Sequence, residues 1–145
     1  MLRSWLARRM VTRNLAALNR GDARPLLRME SPGVHFRFPG SSSWAIDTVG
    51  RDHVEAWLRR MIATGLQHQA EDVVAVGPPW RMTLILRGTD RCDGPGGAAV
   101  YDNRYVIWAT TKWGRITDYE VYEDTEKLTA FDAYLATAAA QSPLS

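Results

Sequence analysis

Asp90 is the carboxylate best suited by its sequence position to act as a general base. It lies between Thr89 and Arg91 in an extended run. A carboxyl group that becomes buried has a raised pKa, which is the property that a base working near neutral pH requires. An alternative interpretation makes Asp90 a turn residue beside the glycine-rich segment 93–97, DGPGG. The residues alone leave both interpretations open.

Two further polar residues interrupt apolar patterns. Asn14 falls in the middle of an apolar helical stripe, where a buried amide needs hydrogen-bond partners from protein, water or ligand. His35 alternates with Val34, Phe36 and Phe38 along a strand, and the apolar set has the stronger claim to the interior. Both residues are candidates for ligand contact. The alternatives are an amide bonded to neighbouring backbone and a histidine on the outer face.

Other kinds of catalytic site lack support in the sequence. The histidines at 35, 53 and 68 are scattered, without paired ligands at metal-binding spacing, so we predict no metal site. The segment Gly94 to Gly97 leads into a strand rather than a helix, unlike nucleotide-binding loops. Cys92 has no recognisable base partner. We therefore expect chemistry without a cofactor.

The elements that must position these residues follow from periodicity. Apolar residues at helical spacing predict a helix in the first 18 residues, a short second helix and a third over 50–66. Extended runs follow at 73–76, 80–91, 100–111 and 116–123, after a first strand at 34–38, and a closing helix ends near Leu135. Helices followed by antiparallel strands predict an α+β fold. We expect one domain over 1–135 and a flexible tail over 136–145.

Composition narrows the class of protein. The chain has 145 residues, of which 46% are hydrophobic and 23% charged, as in an ordinary globular domain. No apolar run approaches the ~20 residues of a membrane span, and no signal peptide is evident. With a single cysteine, the expected compartment is the cytoplasm. Arginine is concentrated in residues 1–60, but no nucleic-acid-binding motif accompanies it, so we expect no nucleic-acid partner.

Four motifs in register resemble the SnoaL-like family of the ketosteroid isomerase and nuclear transport factor superfamily. They are ALNRGD, the FPG loop, GRDHVEAWL and WGRITDYEVYEDTEKL, and the resemblance spans Met10 to Leu135. It implies a cone: a curved antiparallel sheet wrapped around N-terminal helices, a short C-terminal helix and a pocket at the open end. The superfamily spans isomerases, hydrolases, cyclases, dehydratases and non-catalytic binding modules, so the fold does not fix the function.

Two known catalytic sets of the superfamily are not intact in this chain. Ketosteroid isomerases carry a tyrosine where this chain has Asn14, and a catalytic aspartate where it has Phe38. Limonene epoxide hydrolases use an Arg-x-Asp pair and a later aspartate, which correspond here to Gly88, Asp90 and Val121. Of all these groups only Asp90 is retained, so any acid/base set must be this chain's own.

The resemblance also suggests which side chains line the pocket. If Tyr119 points inward, alternation places Glu123 on the same face, and the neighbouring strand contributes Tyr101, Asn103 and Tyr105. The outer face then carries Val106, Trp108 and Tyr122, and we expect a homodimer through it. A register slip of one residue would exchange the two faces.

Two hypotheses follow. In the first, the protein is an enzyme that performs proton transfer, isomerisation, cyclisation or hydration on a compact apolar carbonyl or epoxide compound. Asp90 is then the base, and Asn14, Tyr101 and Tyr119 donate hydrogen bonds to a developing oxyanion. In the second, it is a non-catalytic ligand-binding or dimerisation module. The two differ in whether Asp90 faces a cavity together with at least one of those donors.

Overall fold

The computed structural model describes residues 2–141, which form one α+β unit. Its helices are α1 (Leu2–Asn19), α2 (Arg24–Met29), α3 (Arg51–Ala63) and α4 (Thr125–Gln141). Its strands are β1 (Glu30–Phe38), β2 (Ile46–Val49), β3 (Gln67–Val76), β4 (Met82–Asp93), β5 (Ala99–Lys112) and β6 (Arg115–Glu123). A 3₁₀ turn, Pro95–Gly97, lies between β4 and β5.

The strands form a single six-stranded curved sheet in the order β2-β1-β6-β5-β4-β3. Strands β3 to β6 pair as an antiparallel meander, and β2 pairs antiparallel with β1. The predicted α+β fold with a curved, mainly antiparallel sheet is confirmed, and the sheet is mixed at one place, where β1 runs parallel to β6. Chain order explains this pairing: β1 is separated from β6 by the whole meander, so no hairpin constrains their relative direction.

The hairpin between β5 and β6 forms at the predicted position. Trp113 and Gly114 both adopt positive φ, +50° and +79°, as a two-residue turn between right-twisted strands requires. The predicted facing of the two strands is confirmed, since Tyr101, Asn103, Tyr105 and Tyr119 are buried while Trp108 is exposed.

Several elements differ from the prediction, and strand β1 begins at Glu30 rather than Val34. Strand β2 was not predicted, because its four residues alternate only between partly buried and exposed. Strand β3 begins at Gln67 rather than Val73, since its first half is mostly polar. Helix α4 continues to Gln141, past the predicted boundary at 135, because the alanine-rich segment that follows has high helix propensity. Residues 142–145 of the predicted tail lie outside the described residues.

The core lies between the concave face of the sheet and the helices. Its most enclosed side chains include Val34 and Phe36 from β1, Val54 from α3 and Phe131 from α4. Within residues 2–141, no helix is both long and apolar enough to cross a membrane.

Candidate functional site

Two titratable side chains meet on adjacent strands inside the sheet. His68 on β3 lies directly opposite Asp90 on β4 in the antiparallel register. Nδ1 of His68 is 2.5 Å from Oδ1 of Asp90, and the two side chains are 8% and 3% exposed. Asp90 is therefore a buried strand residue, and the alternative interpretation as a turn residue does not hold.

A β-bulge brings His68 to this inner face. The register of β3 against β4 shifts between Ala70 and Asp72. His68 and Val73 therefore both point inward, although they are five positions apart and regular alternation would place them on opposite faces. Asn19, at the end of α1, holds the position: its amide donates to the carbonyl of His68 (2.9 Å) and accepts from the His68 amide (2.8 Å).

Glu123, at the end of β6, extends the network. Its carboxyl group hydrogen-bonds to that of Asp90 and accepts a hydrogen bond from the hydroxyl of Tyr101. The amide of Asn103 donates to Tyr101 Oη (2.8 Å), to Glu123 (3.3 Å) and to the backbone carbonyl of Asp124 (3.0 Å). Four of the predicted residues thus form one network with His68.

Burial separates the protonation states of the three titratable groups. It raises the pKa of Asp90 to about 6, although the hydrogen bond with Glu123 acts in the opposite direction. Burial, together with that hydrogen bond and the charge of Asp90, raises the pKa of Glu123 to about 9. Burial also lowers the pKa of His68 to about 4. Near pH 7 the site therefore holds a carboxylate on Asp90, a carboxylic acid on Glu123 and a neutral imidazole on His68.

This distribution of protons defines what the groups can do. The imidazole N–H of His68 and the carboxylic acid of Glu123 both donate to Asp90, which keeps it ionised in a buried position. An ionised carboxylate offers about four lone-pair directions, so two remain for an incoming proton. A base with a pKa near 6 beside an acid with a pKa near 9 is an arrangement suited to general acid–base catalysis.

The network faces a cavity of about 160 Å³ between the sheet and the helices. His68, Asp90, Glu123, Tyr101 and Tyr105 contribute its polar wall. Most of the remaining wall is apolar and comes from both layers, including Met10, Leu18, Met29, Phe36, Trp44, Trp57, Met61, Leu86, Val121 and Phe131. Such a cavity suits a compact, largely apolar molecule with one reactive polar group.

Gly88 allows Tyr105 to lie beside this network. A Cβ at position 88 would be 2.3 Å from the Gln69 carbonyl oxygen and 2.5 Å from Tyr105 Oη, so only glycine leaves room. The ring of Tyr105 packs edge-on against His68, with the centroids 6.4 Å apart. Gly88, which stands where limonene epoxide hydrolases have an arginine, is thus required here for packing.

Two other predicted residues line the cavity outside the network. The amide of Asn14 donates to the sulfur of Met29 (3.0 Å), which is a weak acceptor. The hydroxyl of Tyr119 donates to Oε1 of Glu30 (2.7 Å). Glu30 is fully buried, and burial raises its pKa to about 7. Glu30 itself does not line the cavity, and its second oxygen has no partner within residues 2–141.

His35 does not reach the cavity, which corrects the expectation that it lines the pocket. Its Nε2 lies 2.5 Å from Oδ1 of Asp47 on β2, and its side chain is 34% exposed. Val34 and Phe36 occupy the interior instead, at 0% and 1% exposure. The apolar half of the alternating strand therefore faces inward, as its larger hydrophobic gain requires.

His68 is the functional candidate that the sequence did not reveal. A continuous strand with Val73 inward would turn His68 outward, and only the bulge reverses this. Within the described part of the chain, no cluster of three or more His, Cys, Asp or Glu side chains is arranged to hold a metal ion.

The sequence profile of the SnoaL-like domain matches residues 11–119 of this chain. The chain belongs to the SnoaL-like family. The match runs from the middle of α1 to the middle of β6, and so includes strands β1 to β5 and the first half of β6. No curated protein matches this SnoaL-like chain.

Solved structures share the architecture of this SnoaL-like protein. Bal32a, from a soil-derived mobile gene cassette, is 26% identical with a TM-score of 0.67, over 90% of this chain and 97% of its own. An NTF2-like protein from Burkholderia pseudomallei is 20% identical with a TM-score of 0.68, over 83% and 92% of the two chains. TerC, co-crystallised with polyporic acid, is 17% identical with a TM-score of 0.70, over 86% and 96%. At 20% and 17% identity, the similarity to the last two structures shows a shared fold alone.

Proposed function

We propose that this SnoaL-like protein binds a compact, largely apolar molecule in its cavity and catalyses a cofactor-independent proton transfer on it. The observation that carries the proposal is the direct contact of His68, Asp90 and Glu123 at one wall of an otherwise apolar cavity. Isomerisation, cyclisation and hydration or hydrolysis of a carbonyl or epoxide compound all begin with a proton transfer of this kind.

Asp90 is the base in this proposal. Its carboxylate accepts a proton from a carbon next to a carbonyl group, or from a water that attacks an epoxide. In the free protein the acid proton of Glu123 is donated to Asp90 and the hydroxyl of Tyr101 is donated to Glu123. During the reaction these two donors exchange their present acceptors for the oxygen on which negative charge develops. His68 acts through Asp90 as a positioning residue, because its imidazole N–H fixes the carboxylate and favours its ionised form.

A deuterium-exchange screen tests the proposal and does not require the product to be identified first. Compact ketones are incubated with the protein in D₂O, and NMR follows exchange at the carbon next to the carbonyl; epoxides are followed by diol formation. For a compound that is turned over, we expect Asp90→Asn to lower the rate by about 10² to 10⁴-fold. Glu30→Gln is the matched control, because Glu30 is a buried carboxyl group that does not line the cavity.

The outcomes separate the two hypotheses. If Asp90→Asn turns over the compound as fast as the wild type, the assignment of Asp90 as base is wrong. If the wild type binds compounds of this class but exchanges no proton in any of them, the protein is a non-catalytic ligand-binding module. The apolar wall of the cavity serves binding in either case.

We also propose a homodimer through the outer sheet face. Val74, Ile85 and Trp108 are cross-strand neighbours on β3, β4 and β5, and Val106 lies opposite Tyr122. Trp108 and Tyr122 are 51% and 49% exposed, which leaves a contiguous apolar patch. Sedimentation at micromolar concentration should give twice the chain mass of 16.3 kDa. Trp108→Glu should give the monomer and Trp113→Glu, at the β5–β6 turn, should not; a monomeric wild type contradicts the proposal.

A further inference from the structure

Trp44 carries a buried hydrogen-bond donor that the protein does not use. The residue follows β1 in the loop before β2, is 4% exposed, and lines the cavity. Its indole N–H has no hydrogen-bond partner within residues 2–141. Buried donors in native structures are nearly always paired, so one that is not paired calls for an explanation.

The surroundings fix the indole ring rather than satisfy its N–H. The guanidinium of Arg60 lies 3.9 Å from the ring centroid, and the ring of Trp57 packs against it edge-on at 5.9 Å. The N–H of Trp57 donates to the backbone carbonyl of Trp44 (3.0 Å). One of the two neighbouring indoles thus uses its donor within the protein, and the other keeps its donor free.

The loop around Trp44 is also held in place. The preceding residue, Ser43, receives hydrogen bonds from Arg60 and bonds through its amide and hydroxyl to the carboxylate of Asp132 on α4, each at 2.7 Å. The orientation of the indole is therefore set before any ligand binds. A preorganised, unpaired donor in a cavity wall is what recognition of an acceptor atom requires.

We propose that Trp44 is a ligand-binding residue whose indole N–H donates to an acceptor oxygen of the molecule in the cavity. This rests on the proposed function, and it narrows the substrate class. A dry apolar cavity of about 150 Å³ is known to hold one benzene ring, and the cavity here is about 160 Å³. The substrate is then a single-ring or similarly compact compound that carries a carbonyl or ether oxygen.

A pair of isosteric probes tests the inference. Acetophenone and α-methylstyrene have nearly the same shape, but only acetophenone has an acceptor oxygen. We expect the wild type to bind acetophenone more tightly, by roughly tenfold for one hydrogen bond. Trp44→Phe should remove this preference and leave the dissociation constant of α-methylstyrene within about threefold of the wild-type value. Dissociation constants are measured by NMR titration.

A direct readout is made in the wild type and needs a variant only to assign one resonance. The indole N–H resonance of Trp44, assigned by its absence in Trp44→Phe or in a variant with 3-benzothienylalanine at position 44, should move downfield on addition of acetophenone. The Trp57 resonance is the internal control, because its N–H is already bonded to the backbone. α-Methylstyrene should produce no comparable downfield shift at Trp44.

The outcomes distinguish this inference from the proposed function. Binding of both probes with equal affinity, or an unmoved Trp44 resonance in the acetophenone complex, overturns the inference alone. Failure of both probes to bind overturns the inference and the assignment of a ring-sized ligand together. A protein that shows the indole shift but catalyses no proton exchange supports Trp44 as a ligand contact and contradicts only the enzymatic proposal.

Discussion

The protein contains two buried carboxyl centres with contrasting surroundings. Asp90 is bonded to two other titratable groups, His68 and Glu123, and all three line the cavity. Glu30 is more deeply enclosed, yet it is bonded to Tyr119 and is absent from the cavity wall. Burial raises the pKa of both carboxyl groups, to about 6 and about 7.

The comparison shows that a raised pKa alone does not identify a catalytic group. The unfavourable transfer of charge into the interior acts on both centres, but only Asp90 has a neighbouring acid and a space where a substrate can be held. Arg51 bonds to the backbone carbonyl of Glu30, and its charge lowers the pKa of Glu30. The Glu30 centre therefore has the character of a structural link between β1, α3 and β6.

The largest effect that we expect from this comparison is on stability at the Glu30 centre. Its folded pKa of about 7 lies above the ordinary 4.5. The stability linked to this group is thus complete below pH 4.5 and is lost as the pH rises through 7. Integrated over this window, the loss is about 3 kcal/mol. Glu30→Gln should lack this dependence, so urea unfolding should show its stability rising relative to wild type between pH 4 and pH 8.

Tyr119→Phe sharpens the same test. This substitution removes the hydroxyl that donates to Glu30, and that hydrogen bond lowers the pKa of Glu30. The pH range over which the stability falls should therefore move to higher pH. Parallel stability curves for wild type and Glu30→Gln across pH 4 to 8 would mean that the pKa of Glu30 is the same in the folded and the unfolded protein, and that the two centres do not share a raised pKa.

The next largest effect concerns the packing around the Asp90 centre. Gly88→Ala places a Cβ against the Gln69 carbonyl and Tyr105, which must both move. We expect a destabilisation of about 2 kcal/mol, in the range of overpacked cores, together with reduced proton exchange. Gly33→Ala is the control, because nothing lies within 4 Å of a Cβ at that position. Equal stability of the two variants would show that β3 moves to accommodate the added methyl group without a loss of stability.

The sequence predicted the parts of the site that depend on regular alternation. Tyr101, Asn103 and Glu123 lie in the parts of β5 and β6, residues 101–109 and 119–123, where the alternation is regular, so one correct facing places them all. His68 could not be placed, because the bulge between Ala70 and Asp72 reverses the faces of β3 and depends on contacts with β4. The sequence does not single out Glu30, because Glu30 lies at the junction of α2 and β1, where neither the helical nor the strand period applies.

A smaller effect is expected in the pH dependence of catalysis. The rate depends on ionised Asp90 and protonated Glu123, so kcat/KM should rise with pH through about 6 and fall through about 9. At pH 5 the rate should be roughly tenfold below that at pH 7.5, as a single ionisation requires. Glu123→Gln should remove the alkaline limb and Glu30→Gln should leave both limbs in place. A profile without an acid limb would contradict Asp90 as the base.

The smallest effect is expected at His35, which the sequence predicted as a ligand-contact candidate. His35→Ala removes a partly exposed contact with Asp47, and such surface contacts contribute little because solvent competes for both groups. Stability should change by less than about 1 kcal/mol, and the rate and probe affinity should match the wild type. His68→Ala, which removes the other His–Asp contact, should lower the rate because the pKa of Asp90 then rises further. A loss of exchange in His35→Ala would place a functional group on the outer side of β1.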